Sequence, residues 1–350
     1  MPSIYDFYNV NAIASYWEEL HSNTIPFLGA SLFPNKRHQG LKLEWIKGYD
    51  KLPVALMPSA FDTKPTLRDR QGVDTVSTRM PFFREAMRLG EEDRQNMLTL
   101  MAAGNQYVAT ILDKLFDDAA TLIDGADVVP EFMRMQLIQN GTISISSPNS
   151  SGIFVNYDYN YDPKGDWKAS NWVAGSDWSD KGKATITADI LAMKREAAKK
   201  GNMLSRAMVS PTTWGYMLQD PTLRNEIFGT QNAGVVSDSD LKSYLSAKTG
   251  ITFQVYEKQY KDYEGNSQAF AEDDKVVFMP SNTLGSTFFG TTPEEADLMS
   301  GNTDADVRIV GGGVAVLTKK ESLPVNVITS VSEIVLPSFE NMDQVYILTC

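Results

Sequence analysis

Histidine and cysteine are nearly missing from this chain. Among 350 residues there are two histidines, His21 and His38, and one cysteine, Cys350, at the last position. A single cysteine forms no intramolecular disulfide and builds no Cys-x-x-Cys metal site. That scarcity fits a reducing compartment. Two histidines near one end are poor material for a Ser-His-Asp triad or a histidine-ligated metal centre. His38 lies in PNKRHQG and reads as an exposed loop residue. Long apolar runs are missing too: none approaches the about 18 residues of a membrane span. The opening MPSIYDFYNVNAIASYWEEL has no basic cluster ahead of an apolar stretch, so no secretory signal is expected. The expectation is a soluble protein that stays where it is made, with no membrane partner.

The motifs of cofactor chemistry fail in the same way. Gly311-Gly312-Gly313 matches neither the phosphate-loop pattern nor a dinucleotide fingerprint opening a helix. Inside an apolar strand pattern, these glycines are expected to permit a bulge or close backbone packing. DLMSGNTDAD carries Asp297, Asp304 and Asp306 but lacks the glycine and terminal glutamate of a calcium loop. A solvated acidic loop is the expectation, and a hydrolase using the pair Asp304/Asp306 would have no nucleophile and base beside it. Lys199-Lys200 and Lys319-Lys320 are too small for a nucleic-acid patch. Trp167, Trp172 and Trp178 could stack on bases or sugars. Without a basic surround, core or interface packing is the better reading. A small-molecule or carbohydrate-binding module using the loop 167–178 is the alternative function.

What is present is core material and acid. Apolar residues make up 42% and aromatics 10%, enough for real cores in about two or three domains. The formal charge is −12, unevenly spread. Residues 1–90 hold 11 Lys and Arg against 9 Asp and Glu, and the remaining 260 hold 21 against 35. A solvated acidic surface explains this, and it argues against a dedicated nucleic-acid binder.

The order of elements is unusual. Residues 1–40 carry scattered aromatics and helical spacing over roughly 10–20, then meet Pro26 and Pro34. They read as an arm that lies on something else. LKLEWIKGYDKLPVALM and the returning run to Pro81 flank a turn-rich middle, the pattern of a two-stranded finger. Such a finger is marginal alone and needs a neighbour. From Glu91 to Asn140 the spacing predicts one long rod or two collinear helices. Asp124-Gly125 interrupts it, and Pro130 reads as an early helical position. The hairpin TISIS/GIFVNYDY, helices over ITADILAMKREAAKKG, PTTWGYMLQD, PTLRNEIFG and DSDLKSYLSAKTG, and several late strands follow. EEADLMSGNTDAD reads as a loop. The pattern is α+β without a βαβ rhythm or an internal repeat.

Read in order, MPFFREAMRLGEEDRQ, EFMRMQLIQNGTISI, VNYDY, ADILAMKREAAKKG and RAMVSPTTW resemble the major capsid proteins of tailed bacteriophages, the lambda-type major head protein family. The resemblance spans essentially the whole chain, is most specific over 78–216, and in the last third holds only in layout. It implies an α+β, HK97-type fold with an N-terminal arm (1–40) and an extended β-hairpin loop (41–88). A spine-helix peripheral domain would take 89–208 and 307–335, and a mixed axial domain 209–306 and 336–350. It implies a structural protein without catalysis or cofactor. Copies would form homo-hexamers and homo-pentamers in an icosahedral shell that encloses double-stranded DNA without reading its sequence.

Its expected partners are itself, a separate scaffolding protein, and a portal protein at one vertex, with a decoration protein left open. Its expected place is the virion capsid, and the host cytoplasm during assembly. No lysine–asparagine crosslink is assumed. Candidate inter-subunit contacts are Lys47, Lys51, Lys64, Arg68, Arg70, Phe82, Phe83, Arg84, Glu85 and Arg88. Phe82 and Phe83 would pin the loop base, with the rod helix beginning at Glu91. Candidate hinges are Asp124, Gly125 and Pro130, since glycine and proline weaken a helix.

Overall fold

Apolar spacing near the start folds as expected: Val10–His21 is a helix, α1. The computed structural model describes residues 8–21, 27–46, 75–92, 95, 99, 107–148, 154–229, 234–262, 264–301, 305–322 and 325–350. After α1 come α2 (Leu28–Leu32), β1 (Asn35–Arg37), β2 (Lys42–Ile46), β3 (Thr75–Arg79) and β4 (Phe82–Leu89). Residues 91, 92, 95 and 99 are helical. The long helix α3 (Tyr107–Asn140) leads into the hairpin β5 (Thr142–Pro148) and β6 (Phe154–Asn160). Then follow α4 (Asp166–Asn171), β7 (Trp172–Ala174), α5 (Ile186–Lys199), β8 (Arg206–Val209), α6 (Pro211–Gln219), α7 (Pro221–Phe228) and α8 (Asp238–Thr249). The last third holds β9 (Thr252–Val255), β10 (Gln259–Lys261), β11 (Ser267–Ala269), β12 (Lys275–Met279), β13 (Thr287–Phe289), α9 (Pro293–Ser300), β14 (Asp306–Val310), β15 (Val314–Ser322), β16 (Val325–Pro337) and β17 (Tyr346–Thr349).

The chain divides into two compact units. The first comprises Met1–Leu43, Ser77–Met133 and Ser286–Ser338. Its sheet runs β1-β13-β16-β15-β14. β4 lies antiparallel on β16, with Phe82 opposite Ile334 and Leu89 opposite Val327. β13 continues along the same edge, with Phe289 opposite Val335. β15 takes the other edge of β16 from Ala315/Ser332 to Ser322/Val325. The core joins Val10, Ile13, Ala14 and Trp17 of α1 to Ala119, Ala120, Leu122 and Ile123 of α3, with valines of β14, β15 and β16. The described part of the arm therefore packs on its own chain. Each fully buried aliphatic side chain there contributes about 1.5–3 kcal/mol.

The second unit comprises Glu44–Val76, Arg134–Gly285 and Phe339–Cys350. Its sheet runs β7-β17-β12-β8-β9, with α5, α6, α7 and α8 supplying Ile190, Met193, Trp214, Leu223, Leu241 and Leu245 to its core. Three of its elements begin on side-chain caps. Ser210 accepts from Thr213 N at 3.2 Å and Asp220 from Leu223 N at 2.8 Å, each with proline following at the first helical position. Ser237 and Asp240 close a capping box at α8. Gly141 ends α3 with φ +69, and a Cβ there would stand 2.9 Å from Trp167 Cζ3. Only glycine fits that left-handed position against the indole.

Three expectations change. Residues 293–300 form a helix, not a loop. Thr292 accepts from Glu295 N at 3.2 Å and Pro293 stands at the first helical position, the same start as in α6 and α7. The long helix runs unbroken from Tyr107 to Asn140 through Asp124-Gly125, and Pro130 sits inside it, not near its start. Pro81 does follow the end of a strand, but Phe82–Leu89 is then a second strand before any helix. The three glycines form the turn between β14 and β15, with φ +56 at Gly311. A Cβ on Gly312 would meet Asn35 Nδ2 at 2.5 Å, so close packing is their role. The expected border at 208/209 falls inside β8, and that at 88/89 inside β4.

Candidate assembly surface

β4 is built from FFREAMRL, and its exposure is lopsided. Its partner β16 is buried along almost its whole length, whereas Arg84, Glu85, Ala86, Met87 and Arg88 are all exposed. Successive residues of a strand point to opposite faces, so β4 is open on both faces over five consecutive residues. Among the described residues β4 pairs only with β16. A strand edge of this kind carries a row of backbone donors and acceptors ready for another chain. Arginines and a glutamate on it add charge, and Met87 adds an apolar contact at 42% exposure.

The base of β4 is fastened by α9. Arg84 forms an ion pair with Glu294, and the guanidinium carbon lies 4.8 Å from the Phe82 ring centroid. The other Glu294 oxygen accepts from the buried Ser332 hydroxyl of β16 at 2.8 Å. One residue on, Glu295 pairs with Arg37 of β1. Two adjacent glutamates in the first turn of one helix thus hold three strands of the sheet, β4, β16 and β1. Acids in a first turn also suit the positive end of the helix dipole. Sequence reasoning missed Glu294, Glu295, Arg37 and Ser332. The local signal was Thr-Pro-Glu-Glu, a helix start; the partners lie far away in sequence and carry no signal of their own.

The predicted contact residues separate accordingly. Phe82 and Phe83 are half-buried on β4, opposite Ile334 and Glu333. Arg84 is engaged within the chain by Glu294. Glu85 and Arg88 are exposed, opposite Val331 and Ile328. Lys47, Lys51, Lys64, Arg68 and Arg70 lie outside the described residues. The hinge candidates all sit on α3. Asp124 accepts from Trp17 Nε1 at 2.8 Å, Gly125 is exposed, and Pro130 is buried.

Among the described residues the sites considered from sequence do not assemble. Among the described residues no three His, Cys, Asp or Glu side chains gather to hold a metal ion. His38 is half-buried and its Nε2 lies 2.8 Å from the Lys42 carbonyl oxygen. Asp297 is in α9 and Asp306 in β14, while Asp304 lies outside the described residues. Two of the three tryptophans of the supposed binding loop are core, and Trp172 is half-buried with Lys168 and Lys275 over its ring. Trp167 is 2% and Trp178 0% exposed. Trp167 Nε1 donates to the Val345 carbonyl at 3.0 Å, and Trp178 Nε1 to Asp189 at 3.0 Å. Neither offers a ring face to a sugar. Ser176 and Thr185 also donate to Asp189, and these bonds hold its carboxyl below the usual range against the opposing effect of burial. Among the described residues no helix is long and apolar enough to cross a membrane.

A family model described as phage major capsid protein E matches residues 9–327. No curated protein matches. Among solved structures, the chain is similar to the putative capsid protein of a prophage of E. coli CFT073, at 14% identity and a TM-score of 0.56, covering 98% of this chain and 99% of that one. It is also similar to a phage-related protein from Bordetella bronchiseptica RB50, at 13% identity, TM-score 0.52 and coverage of 97% and 96%. A third is the capsid asymmetric unit of cyanophage A-1(L), at 14% identity, TM-score 0.51 and coverage of 93% and 92%. At these identities the likeness is one of fold, and it extends over nearly the full length of both chains in each pair.

Proposed function

The chain belongs to the phage major capsid protein E family, and from that premise we propose that its copies assemble as hexamers and pentamers into an icosahedral shell around double-stranded DNA. Its role is structural and not enzymatic, its fold is the α+β, HK97-type capsid fold, and its place is the virion capsid. The observation that carries the assembly reading is β4. An eight-residue strand with five consecutive exposed residues, Glu85, Met87 and Arg88 among them, supports a contact with a neighbouring copy. Heterologous contacts of this kind close into rings. The first compact unit is proposed to hold chiefly the peripheral part and the second chiefly the axial part.

Assembly would take place in the host cytoplasm with a scaffolding protein, a portal protein at one vertex, and a decoration protein as an optional outer layer. A net charge of −12 suits a container whose wall must not hold its DNA cargo. Negative-stain microscopy of the chain expressed with its scaffold tests the reading. Capsomer rings or shells are expected. A stable monodisperse monomer under every assembly condition would overturn it.

A further inference from the structure

We propose that the N-terminal helices act as a splint on the long helix, holding the stretch that its own sequence makes weakest. Three carboxylates on α3 accept hydrogen bonds from the N-terminal segment. Asp117 Oδ1 accepts from Tyr16 OH at 2.6 Å. Asp124 Oδ1 accepts from Trp17 Nε1 at 2.8 Å. Glu131 Oε1 accepts from Gly29 N at 2.8 Å. The acceptors recur every seventh residue. Seven residues are nearly two helical turns, with a drift of only about 20° per step, so all three lie along one stripe. Every donor is neutral and every acceptor is a carboxylate, the charge-assisted kind of bond.

Between these ties, α3 is poorly restrained by itself. Asp124 and Glu131 bracket Gly125 and Pro130. Glycine is among the weakest helix formers. Proline lacks the N–H that would bond the carbonyl four residues back, and its ring crowds that carbonyl. Tertiary restraint stands in for the missing helical one. Trp17 is 4% exposed and Glu131 0%, so two of the ties are made by well-buried groups. The Tyr8 and Tyr16 rings pack on Phe116 with centroids 5.6 and 5.4 Å apart, seating the near end of the splint. Gly311, at the turn between β14 and β15, has Asp127 Oδ1 and Trp17 Cη2 just beyond the place of a Cβ, at 3.7 and 3.9 Å. The strands thus back the same short stretch. Docked, α1 and α2 hold residues 124–131 within the continuous helix; undocked, they leave it free to bend at Gly125 and Pro130. The use of such a bend when a shell expands rests on the capsid reading above, whereas the splint itself rests on the geometry.

Hydrogen exchange on the full chain tests it. Asp124 is exposed, so Asp124→Ala does not endanger folding. Alanine is a better helix former than aspartate, so local propensity alone would slow exchange over 121–131. The splint predicts the opposite: exchange about tenfold faster there and over 10–21, the factor for a lost bond of about 1.4 kcal/mol. Trp17→Phe, which keeps an aromatic ring and loses the donor, should move the same amides in the same direction. Exchange in α5 and α8 should stay as it was. Unchanged or slower exchange over 121–131 in both variants overturns the splint, whatever shells they build. Faster exchange in variants of a chain that forms no shells supports the splint and counts only against the capsid reading.

Discussion

Replacing Glu294 by alanine should cost the first unit about 2–4 kcal/mol, and the structure says where that comes from. Glu294 is 8% exposed and serves two partners from two strands. The larger part is Ser332. Its hydroxyl is buried, and without the carboxylate it loses its acceptor, at about 1–3 kcal/mol. The Arg84 pair adds less, because the arginine side chain is 47% exposed and solvent screens the attraction to about 0.5 kcal/mol. Loss of an acid from the first turn of α9 removes a further about 0.3–1 kcal/mol of dipole stabilisation. Urea unfolding followed by circular dichroism should show a lower midpoint with an unchanged slope. Glu294→Gln keeps an acceptor for Ser332 and should lose only about 1 kcal/mol. If glutamine costs as much as alanine, the charge pair and not the buried hydroxyl dominates, and the reasoning fails. A loss under about 0.5 kcal/mol for alanine would show that α9 does not hold the sheet.

Three further outcomes are expected. Phe82→Ala or Phe83→Ala should reduce shell yield in co-expression more than it lowers subunit stability, because both rings are only half-buried; normal shells from both would remove β4 from the assembly surface. Gly141→Ala should lower the melting temperature through about 1–2 kcal/mol of left-handed strain plus the contact with Trp167, whereas alanine at Gly125, which has open space around it, should be neutral or stabilising. Burial pushes the Cys350 thiol up to about 12 from its usual 9.0, with Asp274, Asp189 and Asp177 adding to the effect. The folded chain therefore favours the neutral thiol, and this stability is full below pH 9 and lost as pH rises toward 12. Alkylation of native protein at pH 8 should be far slower than of unfolded protein, and equal rates would refute the burial.

Much of the fold was legible because its signals are local. Ser-Pro and Asp-Pro starts, the apolar runs VRIV and VAVL, and the helical apolar repeat through Ile123 each sit within one helix or strand. The same local code marks α9 as Thr-Pro-Glu-Glu, although the acidic residues after it read as a loop. Family membership was legible too: the blocks that carry the resemblance lie within the residues 9–327 that match the family model.

Other features were decided by tertiary packing. Phe82–Leu89 carries neither a clean alternation nor an apolar run, and it becomes a strand because buried β16 offers an edge for eight residues. Pro130 and Gly125 should weaken a helix, yet α3 runs through both, braced by residues about a hundred positions earlier. The three tryptophans could have been a binding face, and two are buried because the strands and helices around them supply a core. Sequence alone determined most of the element types and the kind of protein, because those depend on neighbours a few residues away. Which carboxylate meets which donor, and which strand edge stays open, depends on residues brought together from opposite ends of the chain, and only the folded structure decides that.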